Sequence, residues 1–176
     1  MAGINKDIFA NRFAVQVIAI NDGEPAFTEV PTYTSAFSKE AFILHRIEYH
    51  FKYSDLDLVV AADDEINAGI TTSNKVTAID SNSMDEKDPC LIDVVRITAA
   101  LRGAAANMSF IHGPIISDFT SLPGGGIIVP SRPLFGCAEG KNIVANVTCR
   151  IRGYFTRIEL KADEFLELVD AYRMIA

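Results

Sequence analysis

The sequence predicts an all-β fold, a sandwich or jelly roll of about eight short strands closed by one C-terminal amphipathic helix. Two long segments alternate apolar and polar residues with period two, turn residues punctuate the chain, and only the last stretch carries a helical period. Nothing repeats at a fixed spacing, which argues against a propeller or solenoid. No linker divides the chain, so residues 1–176 read as a single domain with a short N-terminal arm at 1–12.

The first strand is read at 13–20 (FAVQVIAI), rich in β-branched residues and stopped by Asn21, Asp22 and Gly23. A short strand follows at 26–30, before Pro31. Residues 41–53 alternate, with Ile43, Ile47, Tyr49, Phe51 and Tyr53 on an apolar face and Arg46, Glu48, His50 and Lys52 on the other. The apolar run 56–61 ends in Asp63, Asp64 and Glu65, and 70–88 reads as a long polar loop. Alternation resumes after Pro89, with Val95, Ile97, Ala99 and Leu101 opposed to Arg96, Thr98 and Arg102. Brief strands are expected at 108–112, 127–129 and 134–137, separated by Pro114, Pro123, the glycines 124–126, Pro130 and Pro133.

The clearest element is 143–160. Ile143, Ala145, Val147, Cys149, Ile151 and Phe155 share one face, and Asn146, Thr148, Arg150 and Arg152 the other. Ile158 and Leu160 then break the phase, which a one-residue bulge near 153–157 explains. Residues 161–176 hold the helix, its stripe made by Phe165, Leu168, Val169, Tyr172 and Ile175. Asp163 and Glu164 sit at its dipole's favoured end and Arg173 in its last turn. That stripe serves either as a lid over its own sheet or as a contact between subunits.

Hydrophobic residues make up 49% and charged residues 22% of the chain, enough for a core without metals or disulfides. Cys90, Cys137 and Cys149 are an odd set without a CxxC pair, which suits a reducing compartment. The net charge of −7 and the lack of a basic arm give no sign of direct nucleic-acid binding. Asn11, Arg12 and Gln16 interrupt any signal-peptide pattern, and no apolar run reaches the roughly twenty residues of a membrane span.

No catalytic, cofactor or metal motif is expected. His45 and His50 are five apart, which in a strand puts them on opposite faces, and His112 has no neighbouring partner. The triple glycine lacks the Lys-Ser/Thr of a phosphate loop and reads as a tight excursion between strands. Asp63, Asp64 and Glu65 are adjacent rather than facing, unlike paired glycosidase carboxylates. Cys149 lies on an apolar face, no GxSxG elbow is present, and the glycosylation-type triplets at Asn107 and Asn146 fall within strand-like sequence.

The run 118–130 (DFTSLPGGGIIVP), then RPLF at 132–135, a long alternating strand, and ELKADEFLEL at 159–168 together resemble the C-terminal half of small single-jelly-roll coat proteins of prokaryotic and environmental viruses. The resemblance covers about the last third of the chain. It implies a structural capsid subunit, not an enzyme, that needs no cofactor and self-assembles into a shell. Its partners would be copies of itself and other virion proteins, and its place the virion, assembled in the host cytoplasm. Many such proteins hold the genome with a basic N-terminal arm, which this chain lacks. Contact residues are then expected on the helix, at Phe165, Leu168, Val169 and Tyr172, and on the excursion, at Pro123, Gly125, Pro130 and Pro133. Tyr33, Phe37, Phe119 and Tyr172 read as exposed aromatics that a neighbour would cover. Two rivals fit the same composition: a lectin-like sandwich binding a sugar or receptor, and a carboxylate-dependent enzyme on a sandwich.

Overall fold

In the computed structural model, which describes residues 11–19, 25–31, 40–52, 64–74, 90–99, 113–130, 132–141, 143 and 146–174, the alternating segments pair into two antiparallel sheets. In the first, β1 (Asn11–Ala19) lies beside β9 (Val147–Glu159), and β9 beside β3 (Glu40–Lys52). The far side of β3 carries both β6 (Ile115–Asp118) and β7 (Ile127–Pro130), one after the other along its length. The second sheet runs β2 (Ala26–Glu29), β8 (Phe135–Lys141), β4 (Asp64–Thr71), β5 (Leu91–Ala99). Among the described residues one helix, α1 (Ala162–Met174), follows β9 and lies against β7. The described residues thus form an all-β sandwich with one helix.

The core fills the space between the sheets. Phe13, Val15 and Val17 enter it from β1, Phe42, Leu44, Ile47 and Tyr49 from β3, and Val147, Cys149, Ile151 and Phe155 from β9. Ile66, Ala68 and Ile70 on β4 and Val95 on β5 face them. Each large aliphatic or aromatic side chain so buried contributes on the order of 2 kcal/mol. Opposite β1 and β9, the inner side of β8 is small: Gly136, Ala138 and Gly140 pair with Ile70, Ala68 and Ile66. A side chain at Gly136 would meet Val15 Cγ1 at 2.8 Å, so the second sheet leaves room for the bulk of the first. Phe13 covers Gly153, its direct partner across β1 and β9, and stacks obliquely on Phe155 at 6.0 Å between ring centroids.

Several expectations are corrected. The alternation of β3 is not continuous. Phe42 and Leu44 are buried, then Ile47 and Tyr49, because the register with β9 shifts between Leu44 and Arg46. Ile43 therefore points away from the core, and the bulge expected in 153–157 lies instead on the facing strand at His45; β9 pairs without an inserted residue from 148 to 159. Asp64 and Glu65, expected to end a run before a loop, open β4, and that strand continues through Ile70 and Thr71. The strand β6 was not expected, and β8 extends past Cys137 to Lys141. The apolar run 56–61, the strand expected at 108–112, most of the loop 70–88, and Tyr33, Phe37, Tyr53, His112 and Ile175 lie outside the described residues. Phe119 is half-buried and packs on the core rather than standing exposed.

Candidate functional site

The segment 119–126 leaves the sheet between β6 and β7 and returns to the same edge of β3, and its sequence makes this detour a built structure. Asp118 Oδ1 accepts hydrogen bonds from the Thr120 amide at 2.9 Å and hydroxyl at 2.6 Å, forming an Asx turn. The Leu122 amide donates to the Phe119 carbonyl at 3.0 Å, and the Gly125 amide to the Leu122 carbonyl at 2.8 Å. Pro123 and Gly124 occupy the centre of that second turn, and Gly124 takes φ of 85°, the combination a type II turn demands. A Cβ on Gly126 would lie 2.5 Å from the Leu44 carbonyl oxygen, so only glycine lets the chain rejoin β3 this closely.

His45, the bulged residue, pins the detour. Its carbonyl accepts from the Phe119 amide at 2.8 Å, and its Nδ1 lies 2.7 Å from the Gly125 carbonyl. A carbonyl only accepts, so Nδ1–H is the donor; in the neutral ring Nε2 then accepts from the Thr156 hydroxyl at 2.8 Å. Because of the bulge, His45 and His50 both point outward, correcting the expectation of opposite faces. Five residues of strand still separate them by about 15 Å, too far to share one ion.

The outer face of the first sheet is cationic. Arg12, Ala14, Gln16 and Ile18 on β1 pair with Tyr154, Arg152, Arg150 and Thr148 on β9, and these in turn with Arg46, Glu48, His50 and Lys52 on β3. Glu48, nearly buried, holds the centre: Arg46 Nη2 is 2.8 Å from its Oε1, while Arg152 Nη1 and His50 Nε2 both lie 3.5 Å from its Oε2. The Tyr154 hydroxyl donates to the same oxygen at 3.4 Å, and the Arg46 guanidinium sits over the Tyr154 ring, 5.9 Å from its centroid. Arg150 donates from Nε to Gln16 Oε1 at 3.3 Å. Above the small Ala14, a depression of about 430 Å³ opens among Gln16, His50, Arg150 and Arg152.

The outer face of the second sheet is of another kind. Asn67 and Thr71 are fully buried there, and Cys137 sits beneath Phe27, Cys90, Leu91 and Val94. Glu65, one of the acids considered for catalysis, is spent on structure: Asn67 Nδ2 donates to its Oε1 at 2.6 Å, with Arg96 Nε at 3.3 Å and Lys141 Nζ at 3.8 Å. Between the sheets, Asp93 accepts from the Tyr49 hydroxyl at 2.7 Å. Burial pushes the Asp93 carboxyl above its ordinary value, against the opposing bonds from Ser117 and Tyr49. Burial, reinforced by Asp93, pushes the Tyr49 hydroxyl well up, which keeps it the donor of the pair. Burial likewise holds the Cys149 thiol up to about 12, so it is core and not nucleophile.

Of the expected contact residues, Pro123 and Pro133 are exposed, Gly125 and Leu168 half-buried, and Pro130 buried against Ala41. The side chains of Phe165, Val169 and Tyr172 lie outside the described residues. Large apolar side chains do stand exposed nearby. Ile116 on β6, Leu122 in the detour, Ile128 on β7 and Leu166 on α1 all belong to or adjoin one sheet edge. Sequence reading missed this edge because β6 is too short to show a period. It also passed over the basic face, although the signal was present: the polar positions of β3 and β9 are largely arginine, lysine and histidine. Among the described residues no His, Cys, Asp and Glu cluster of three could hold a metal, and no helix is long and apolar enough to cross a membrane.

No protein-family model matches the chain, and no curated protein matches it.

Proposed function

We propose that this chain is a jelly-roll coat or coat-like subunit whose copies assemble into a shell. The observation that carries the reading is the strand order. The first strand lies beside the ninth and the second beside the eighth, with β3 completing one sheet and β4 and β5 the other. A chain rolled up from both ends into two interleaved sheets has this order, and β6 with β7 fills the place of one interrupted strand. Function lives in surfaces rather than in the fold, and one surface favours assembly. Ile116, Leu122, Ile128 and Leu166 expose apolar area around the β6–β7 edge, 39–59% accessible each, beside the contact residues expected on the excursion and the helix.

Light scattering on a sizing column across a concentration series, with negative-stain images of the same fractions, tests the reading. Rings, capsomers or closed particles are expected, and Ile128→Glu together with Leu166→Glu is expected to shift them to monomer. A monodisperse monomer at the highest concentration reached would sink self-assembly as the activity of this chain.

A further inference from the structure

We infer that the outer face of the β1–β9–β3 sheet binds the phosphate backbone of nucleic acid, without regard to sequence. The chain as a whole is acidic, with net charge −7, yet Arg12, Arg46, Lys52, Arg150 and Arg152 share this one face. Opposing them among its described residues are Glu48 and, at the edge beside Arg46, Asp118. Concentrating cations on one side of an acidic protein carries a cost in self-repulsion, which a polyanion relieves.

The pattern favours an extended polyanion over a small anion. From Arg46 to Lys52 along β3 the face runs about 20 Å, and three adjacent strands give it a width of about 10 Å. The cations are spread over that strip rather than converging on a point. Glu48 anchors Arg46 and Arg152 in fixed positions, and Gln16 steadies Arg150, so the guanidinium groups are held for contact in advance. Arg12, Lys52 and Arg150 are exposed, and among the described residues no carboxylate lies within ion-pair distance of them.

The depression over Ala14 adds an amide, an imidazole and two guanidinium groups, donors suited to phosphate and sugar oxygens. A lipid surface is the weaker fit, because no large apolar side chain stands in the middle of the strip to enter a bilayer; Ile18 and Ile116 lie at its two margins. The acidic helix α1 lies against β7, toward the opposite end of β3 from His50 and Lys52.

The test is fluorescence anisotropy of a labelled twenty-nucleotide oligothymidine titrated with the full chain across a salt series. Binding is expected to weaken with salt, with a log–log slope of about −3 for four engaged phosphates of a single strand. Arg150→Ala and Lys52→Ala should each make that slope shallower by about 0.7, and together weaken binding at least tenfold. Lys141→Ala, which removes a cation of the other sheet, should change neither. No anisotropy change at low salt overturns the inference, as does a loss on Lys141→Ala equal to that on Arg150→Ala. Phosphatidylserine vesicles captured by a chain that ignores the oligonucleotide overturn it in favour of a membrane surface. Binding by a monomer suffices, so this test and the assembly test fail separately.

Discussion

The two sheets of the sandwich present opposite solutions to the same problem, what to do with the face turned away from the core. On the first sheet, β1, β9 and β3 give that face to long charged side chains in water, and a single buried carboxylate, Glu48, organises the cations around it. On the second, β4 and β8 bury the outer face as well, and polar groups survive there only because they satisfy one another, as Asn67 does between Glu65 and Arg96. The difference teaches that polar residues on a strand mark solvent only when they are long and charged. Short amides and hydroxyls on a sheet serve equally as internal fasteners.

The largest effect that would sharpen this contrast is expected at Asn67. Asn67→Leu strips Glu65 and Arg96 of a partner on a buried face and should cost about 2–4 kcal/mol in urea unfolding. Gln16→Leu, the corresponding amide on the open face, should stay within about 0.5 kcal/mol. Equal losses would erase the distinction between the faces. Next comes Glu48→Ala, which leaves Arg46 and Arg152 without their shared carboxylate and repelling each other, at a cost of about 1–3 kcal/mol. Added salt should recover part of that loss, because the face is open to ions; a loss unmoved by salt would show that packing, not charge, was removed.

The smallest effect concerns Asp93, between the sheets. Burial raises its folded pKa above the unfolded value, so folding favours the protonated acid. Its contribution to stability is therefore complete below the ordinary carboxylate pKa and lost as pH rises through the raised one. Asp93→Asn keeps an acceptor for the Tyr49 hydroxyl without a charge. In denaturation series across pH the variant should exceed the parent at neutral pH, with the gap closing in acid. A gap that widened in acid would mean that the bonds from Ser117 and Tyr49 outweigh burial.

How much of this was legible in the sequence follows the same division. The all-β class, β1, the far half of β3, the faces of β5 and β9, and the helix were readable because one side of each meets water and the period shows. The near half of β3 misled, since Ile43 continues the odd-numbered apolar series while Phe42 and Leu44 hold the core; the register shift at His45 depends on segment 119–126, which is distant in sequence. β4 (DEINAGIT) hid because both its faces are buried, leaving Asn67, Gly69 and Thr71 to imitate a loop. The detour of 119–126 was foreseen as a turn between strands, but not its anchoring by His45. The basic face was concealed by averaging: a net charge taken over the whole chain cancels a field confined to one side.

The interruption of the edge strand has a further consequence for the proposed assembly. An unbroken exposed strand offers a template on which backbone after backbone can add, the route to fibres. Here the β6–β7 edge is cut by the detour that His45 fastens, and Pro130 carries no amide donor near its end. Contact along this edge is left to side chains such as Ile116 and Ile128, whose fit depends on shape and angle. Under the proposed assembly, association of that kind would be undone and corrected, so errors would be released instead of being locked in.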